Sequence, residues 1–156
     1  MKRLFVPIGI LILLASCGGG DQKTSESTTS TPAQETPTAT ADDDEKGIGP
    51  IKEVTLGHPL DQAMITAGKG IYDLKCGSCH RLTAEKLVGP GWQGVTKRRK
   101  PEWIMNFATN VEEMLNKDPK AQAMLEECLV RMPNQNLTEK DARSVLEFMR
   151  KNDGEN

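Results

Sequence analysis

Two thiols and an imidazole in the run Cys76-Gly77-Ser78-Cys79-His80 constrain this 156-residue chain more than any other feature. Cysteines at this spacing, followed at once by histidine, are what covalent attachment of a c-type haem requires. Cys76 and Cys79 would form thioethers to the two vinyl-derived edges of the porphyrin, and His80 is placed to give the iron its proximal nitrogen. A fold that accepts such a group must leave an apolar slot for a large flat ring. Two other chemistries use a CxxC pair. A redox dithiol wants a βαβ setting with a thiolate at a helix N-terminus, and no strand pattern precedes Cys76. Half of a zinc site needs a matching ligand pair, and Cys128 and His58 are too scattered to supply one. A chance match is the remaining alternative, and the flanking residues decide against it.

The N-terminus reads as an export signal. Met1-Lys2-Arg3 is a charged start, and the apolar run from Leu4 to Leu14 is too short to span a bilayer. Leu14-Ala15-Ser16-Cys17 follows and resembles the lipobox of bacterial lipoproteins, which implies cleavage before Cys17 and a lipid on its thiol. Acyl chains contribute about 0.8 kcal/mol per buried methylene, so two or three give firm anchorage. Residues 18–47 hold Gly, Ser, Thr, Pro, Ala and acid with no Val, Ile, Leu, Met or aromatic, and such a segment cannot bury enough surface to offset its ordering entropy. It is expected to be a disordered tether with a reach of roughly 30 Å and a stretched limit near 100 Å. The expected organisation is a signal at 1–16, a lipidated cysteine and tether at 17–47, an extended arm at 48–58, a folded domain at 59–152 and a tail at 153–156.

Charge is divided unevenly between these parts. Residues 18–47 carry seven acids against two bases, whereas 48–156 carry sixteen bases and fifteen acids. A nearly neutral domain argues against nucleic acid as a partner, because phosphate binding calls for a strongly basic face. One domain of about 100 residues has a marginal core of its own, and a buried haem would complete it. Of the four cysteines, one is read as lipidated and two as thioethers. Cys128 is left over and reads as a small buried apolar residue, with an intermolecular disulfide as the alternative.

Helical periodicity supplies the elements. A first helix is predicted from Pro59 at N1 through Leu60, Met64, Ala67, Ile71 and Leu74. Gly68 and Gly70 each weaken it by roughly 1 kcal/mol relative to Ala and call for a packing reason. A helix over 102–115 carries Trp103, Ile104, Phe107, Val111, Met114 and Leu115, and another spans 119–130. The last starts at Thr138, with Asp141 completing a capping box, Leu137 and Ala142 as a staple pair, and Ala142, Val145, Leu146 and Met149 on one face.

With these elements the chain resembles the class I cytochromes c, small all-α proteins whose terminal helices cross around one covalently bound haem. Gly68 and Tyr72 stand at the family's offsets, eight and four residues before the first haem cysteine, where the N-terminal helix crosses the C-terminal one. Phe148-Met149 match the aromatic-aliphatic pair on the latter. The resemblance implies further roles. Pro90, in Gly89-Pro90, would accept the proximal histidine's Nδ1–H and so fix its tautomer. Trp92 would pack on the porphyrin or donate to a propionate, and Trp103 would pack as the mid-domain aromatic. Met132, in Met132-Pro133, would be the distal ligand, with Asn134 or Asn136 near its sulfur. The other methionines at helical positions, Met64, Met105, Met114, Met124 and Met149, read as core filler. His58 as a second histidine ligand is the alternative, although capping or exposure suits its place before a helix. The run Lys97-Arg98-Arg99-Lys100 reads as propionate or partner contacts on one view and as a solvated face on the other.

His80 and Met132 together would close both faces of the iron and raise its potential relative to a bis-histidine site. The expected function is therefore one-electron transfer, not catalysis, by a monomer held on the periplasmic side of a bacterial membrane. Its partners would be respiratory redox proteins: an upstream quinol-oxidising complex and a downstream reductase or oxidase, nitrous oxide reductase being one candidate by analogy. A haem-based gas sensor with a labile Met132 and a fixed subunit of a larger respiratory complex are the alternatives. A single CxxCH excludes a di-haem peroxidase.

Overall fold

A computed structural model of the chain describes residues 45–156. The signal, Cys17 and nearly all of the tether lie outside the described residues. Six helices make up the domain: α1 (Gln62–Ile71), α2 (Val95–Arg98), α3 (Pro101–Thr109), α4 (Val111–Lys117), α5 (Pro119–Cys128) and α6 (Glu139–Asn152). A π-helical turn, Tyr72–Cys76, continues α1. No β-strand occurs among the described residues beyond one bridge between His80 and Lys86. The all-α fold expected from the sequence is therefore observed.

Helix α1 begins three residues later than its apolar pattern suggests, because Asp61 caps it. Oδ1 of Asp61 accepts from the backbone N–H groups of Ala63 and Met64 at 2.8 and 3.0 Å. Pro59 stays outside the helix, in a segment bound to α6. Nη2 of Arg150 donates to the Gly57 carbonyl at 3.2 Å, and the Asp61 N–H donates to Glu147 at 3.0 Å. At its other end the chain widens by one residue, with the Gly77 N–H bonded to the Tyr72 carbonyl at 2.8 Å. The extra residue rotates the following side chains off the α1 stripe. Leu74, expected on the apolar face, is 87% exposed for this reason.

The crossing of α1 with α6 rests on Gly68. A Cβ there would lie 2.1 Å from the Ser144 carbonyl oxygen and 2.9 Å from Cβ of Phe148, so only glycine permits this approach. Gly70 has nothing within 4 Å of such an atom and no comparable reason to be glycine. Across the junction the rings of Tyr72 and Phe148 meet at 5.7 Å. Helix α6 starts from the expected capping box: Asp141 N–H donates to Thr138 Oγ1 at 3.1 Å and Thr138 N–H to Asp141 at 3.0 Å. Ala142, Val145, Leu146 and Met149 are all buried.

The single helix expected over 102–115 is two. Asn110 breaks it at φ −132° and ψ 49°, and its side-chain amide donates to the Ile48 carbonyl at 3.2 Å. This tertiary bond replaces helical continuity and turns Val111, Met114 and Leu115 into the core. The segment 48–58 forms neither helix nor strand and lies against α3. Asn106, fully buried, bonds both polar groups of Ile51, accepting its N–H at 3.1 Å and donating to its carbonyl at 2.9 Å. At the other terminus Asp153 is bonded into the domain and is not a loose tail. It accepts from the backbone of Gly94 and from the N–H and hydroxyl of Thr96, so the end of α6 holds the start of α2.

An ion cluster is built on α6 and the residues just after it. Glu147 and Arg150, each with 1% of its side chain exposed, pair at 3.0 Å, and Arg143 and Glu155 join them. Burial alone would raise the Glu147 pKa. Hydrogen bonds from Arg143, the Asp61 backbone and Arg150 outweigh that and hold it below the usual carboxylate range. A carboxylate whose folded pKa is depressed stabilises the fold above its unfolded value and loses that contribution as pH falls through the folded one.

Thermal unfolding of the haem-loaded protein tests these features. Gly68→Ala lowers stability by about 1–3 kcal/mol through overpacking, whereas Gly70→Ala raises it by about 0.5–1 kcal/mol. Glu147→Gln costs about 3 kcal/mol at pH 7, since Arg150 loses a buried partner. The loss of melting temperature between pH 5 and 3 is then shallower in that variant than in wild type.

Candidate haem site

His80 is fixed from four directions. Its backbone N–H donates to the Cys76 carbonyl at 2.9 Å. The Tyr72 hydroxyl donates to its carbonyl at 2.7 Å. Nδ1 lies 2.8 Å from the Pro90 carbonyl, which can only accept, so the proton sits on Nδ1 and the Nε2 lone pair is free. The Trp92 ring stands 5.6 Å from the imidazole and 5.0 Å from Tyr72. Gly89 lets the loop close over the ring, since a Cβ there would lie 2.4 Å from Cε1 of His80. The same loop is held to Cys79, whose carbonyl accepts from the N–H groups of Val88 and Gly89 at 3.2 and 2.9 Å. Burial lowers the His80 pKa, partly opposed by the bond to Pro90, so the imidazole is neutral and competent to ligate.

Two adjoining apolar lobes share part of their lining, and each is bordered by one thiol of the motif. The larger, about 260 Å³, is lined by Cys76, Trp92 and Trp103; the smaller, about 70 Å³, by Cys79, Val88 and Cys128. His80, Pro90, Phe107, Met124 and Met132 line both. Burial pushes the Cys76 thiol up to about 11, against the opposing charge of Lys75. A thiol held protonated at neutral pH is a poor attacking group, which speaks against the redox-dithiol alternative. Among the described residues no three His, Cys, Asp or Glu side chains cluster as metal ligands, so the zinc alternative has no counterpart there. Two thiols, a free imidazole nitrogen and a thioether around one apolar slot fit a covalently held haem.

The other residues that the sequence singles out are spread around that slot and beyond it. Met132 is half-buried in the loop between α5 and α6. Trp103 is buried, and its Nε1–H donates to Asp118 at 3.2 Å, so the indole offers the cavity its ring alone. The Arg99 guanidinium lies 4.9 Å over that ring, and Arg98 and Arg99 border the larger lobe. His58 is exposed, with Nε2 3.2 Å from Arg150 and no place in the cavity lining. Asn134 and Asn136 bond to each other. Cys128 is half-buried at the smaller lobe, not within the core as expected. Met124, expected as filler, faces both lobes. Met124 and Cys128 stand four residues apart on α5, a spacing that puts them on one helix face and is readable in the sequence.

Residues 65–153 match the family described as cytochrome c. A comparison with curated protein sequences gave no match. Among solved structures, cytochrome c from Rhodothermus marinus is similar at 35% identity and a TM-score of 0.66, over 70% of this chain and 92% of that one. An engineered cytochrome c from the same organism, bound to a carbene intermediate, is similar at 34% identity and a TM-score of 0.62, over 70% of this chain and 93% of that one. The family match covers more than half of the chain and brackets the motif, the Pro90 loop and α6, so the protein belongs to the cytochrome c family as a class I monohaem member and carries covalent haem c for electron transfer.

Proposed function

We propose that the protein is a lipid-tethered electron carrier on the periplasmic side of a bacterial membrane, with His80 and Met132 as axial ligands. The observation that carries the ligand assignment is that His80, its Nδ1 bound to Pro90, and Met132 both belong to the lining shared by two adjoining apolar lobes, one bordered by Cys76 and the other by Cys79. When bound, the haem supplies a one-electron iron couple. Cys76 and Cys79 hold its edges, and Pro90 keeps the proton on Nδ1 so that Nε2 faces the iron. Trp92, Trp103 and Phe107 exclude water, which favours the less charged reduced state. Arg98 and Arg99, which border the larger lobe, would pair with the haem carboxylates. Met132, which lines the same lobes as His80, would supply the second ligand to the iron.

The exposed apolar side chains Leu87, Val88, Leu129 and Val130 include two, Val88 and Val130, that line the smaller lobe. A small apolar rim of this kind suits brief docking with a respiratory redox partner through an interface below about 1,200 Å². The export signal and Cys17 motif support the membrane tether, and no helix among the described residues is long and apolar enough to cross a membrane. Lability of Met132 would instead favour a gas-binding role, a reading motivated by the exposure of the loop that carries it.

Met132→Ala separates these assignments. In the haem-loaded variant the low-spin, methionine-ligated optical and EPR signature is lost, the reduction potential falls, and carbon monoxide binds the reduced form rapidly. A spectrum identical to wild type removes Met132 from the iron and points to Met124.

A further inference from the structure

The loop that carries Met132 packs on the core through Met132 and Leu137. Leu129 and Val130 are 85% and 54% exposed, and Leu129 and Asn136 take φ of 60° and 52°. Polar ties reach it from both sides. Arg131 Nη2 donates to Glu112 at 2.8 Å and to Asn116 at 3.3 Å, both on α4. Lys75, next to Cys76, donates to the Gln135 carbonyl at 3.0 Å. One tie thus precedes Met132 by one residue and the other follows it by three. A segment with few buried contacts opens locally far more readily than the domain unfolds, so weak surface bonds set its closed population.

We infer that Arg131, through its ion pair with Glu112, is a positioning residue for Met132 and sets how readily an external ligand reaches the face of the cavity that Met132 covers. The inference rests on Met132 as distal ligand. Arg131 adjoins Met132 in sequence and itself lines the smaller lobe, so release of its guanidinium from α4 frees the backbone that presents the thioether. Both partners are exposed, at 46% and 63% of their side chains, so the pair is weak and screened by salt. Substitution at this exposed pair leaves the core intact, and an effect on ligand access would be separable from one on folding.

The test is carbon monoxide association with the reduced, haem-loaded protein, alongside hydrogen exchange of the amides of 130–136. Arg131→Gln is expected to raise both rates about threefold at low salt, the size expected of one exposed ion pair. The difference should shrink near 0.5 M salt. The charge swap R131E/E112R is expected to restore the wild-type rates. A wild-type association rate in Arg131→Gln, or a swap no slower than Arg131→Gln, overturns the inference. Rapid association in Met132→Ala alongside an unaffected Arg131→Gln would reject the Arg131 role and keep Met132 as ligand. An unaffected Met132→Ala would reject both.

Discussion

The bond from Nδ1–H of His80 to the Pro90 carbonyl is the constraint on which the rest of the site depends. Without it the imidazole could carry its proton on either nitrogen and turn about Cβ. With it, one lone pair faces the cavity in a fixed direction. The bond requires the loop over residues 86–92 to fold back across the motif, and it does so because Cys79 receives two of its N–H groups and Gly89 leaves room for the ring. Tyr72 then ties the site to the helix crossing: its hydroxyl holds the His80 carbonyl and its ring touches both Trp92 and Phe148.

This coupling explains why the crossing of α1 and α6 matters to chemistry some distance away. Gly68 brings the helices together, the crossing positions Tyr72, and Tyr72 positions His80. On the far side, α3, α4 and α5 form the wall that carries Trp103 and Phe107, fixed to the N-terminal arm through Asn106 and Asn110. The cavity is thus walled by the α1–α6 crossing on one side and by α3, α4 and α5 on the other. A haem bound only to the folded state would stabilise the arrangement further by linkage.

Local chemistry is legible in the sequence. The CxxCH run, the Thr138–Asp141 box and the offsets of Gly68 and Tyr72 each depend on residues close in the chain or on one helix face. The features that escape sequence reading depend on long-range bonds. Asn110 reads as an ordinary helical residue until Ile48 is beside it, and Leu74 fits the α1 stripe until the π-turn rotates it away. Asp153 reads as tail because its partners, Gly94 and Thr96, are some 57 to 59 residues earlier. The general rule that a helical methionine is core filler passes over Met124, and only the cavity lining shows that it shares Met132's exposure to the site.

The central claim is that this chain carries its redox group covalently at one fixed point, and intact mass analysis under denaturing conditions tests it most directly. The predicted result is a polypeptide that retains a single haem, mapped to the peptide containing Cys76 and Cys79, with Cys128 free to be alkylated. A haem extracted by acid and organic solvent, leaving Cys76 and Cys79 open to alkylation, would contradict it.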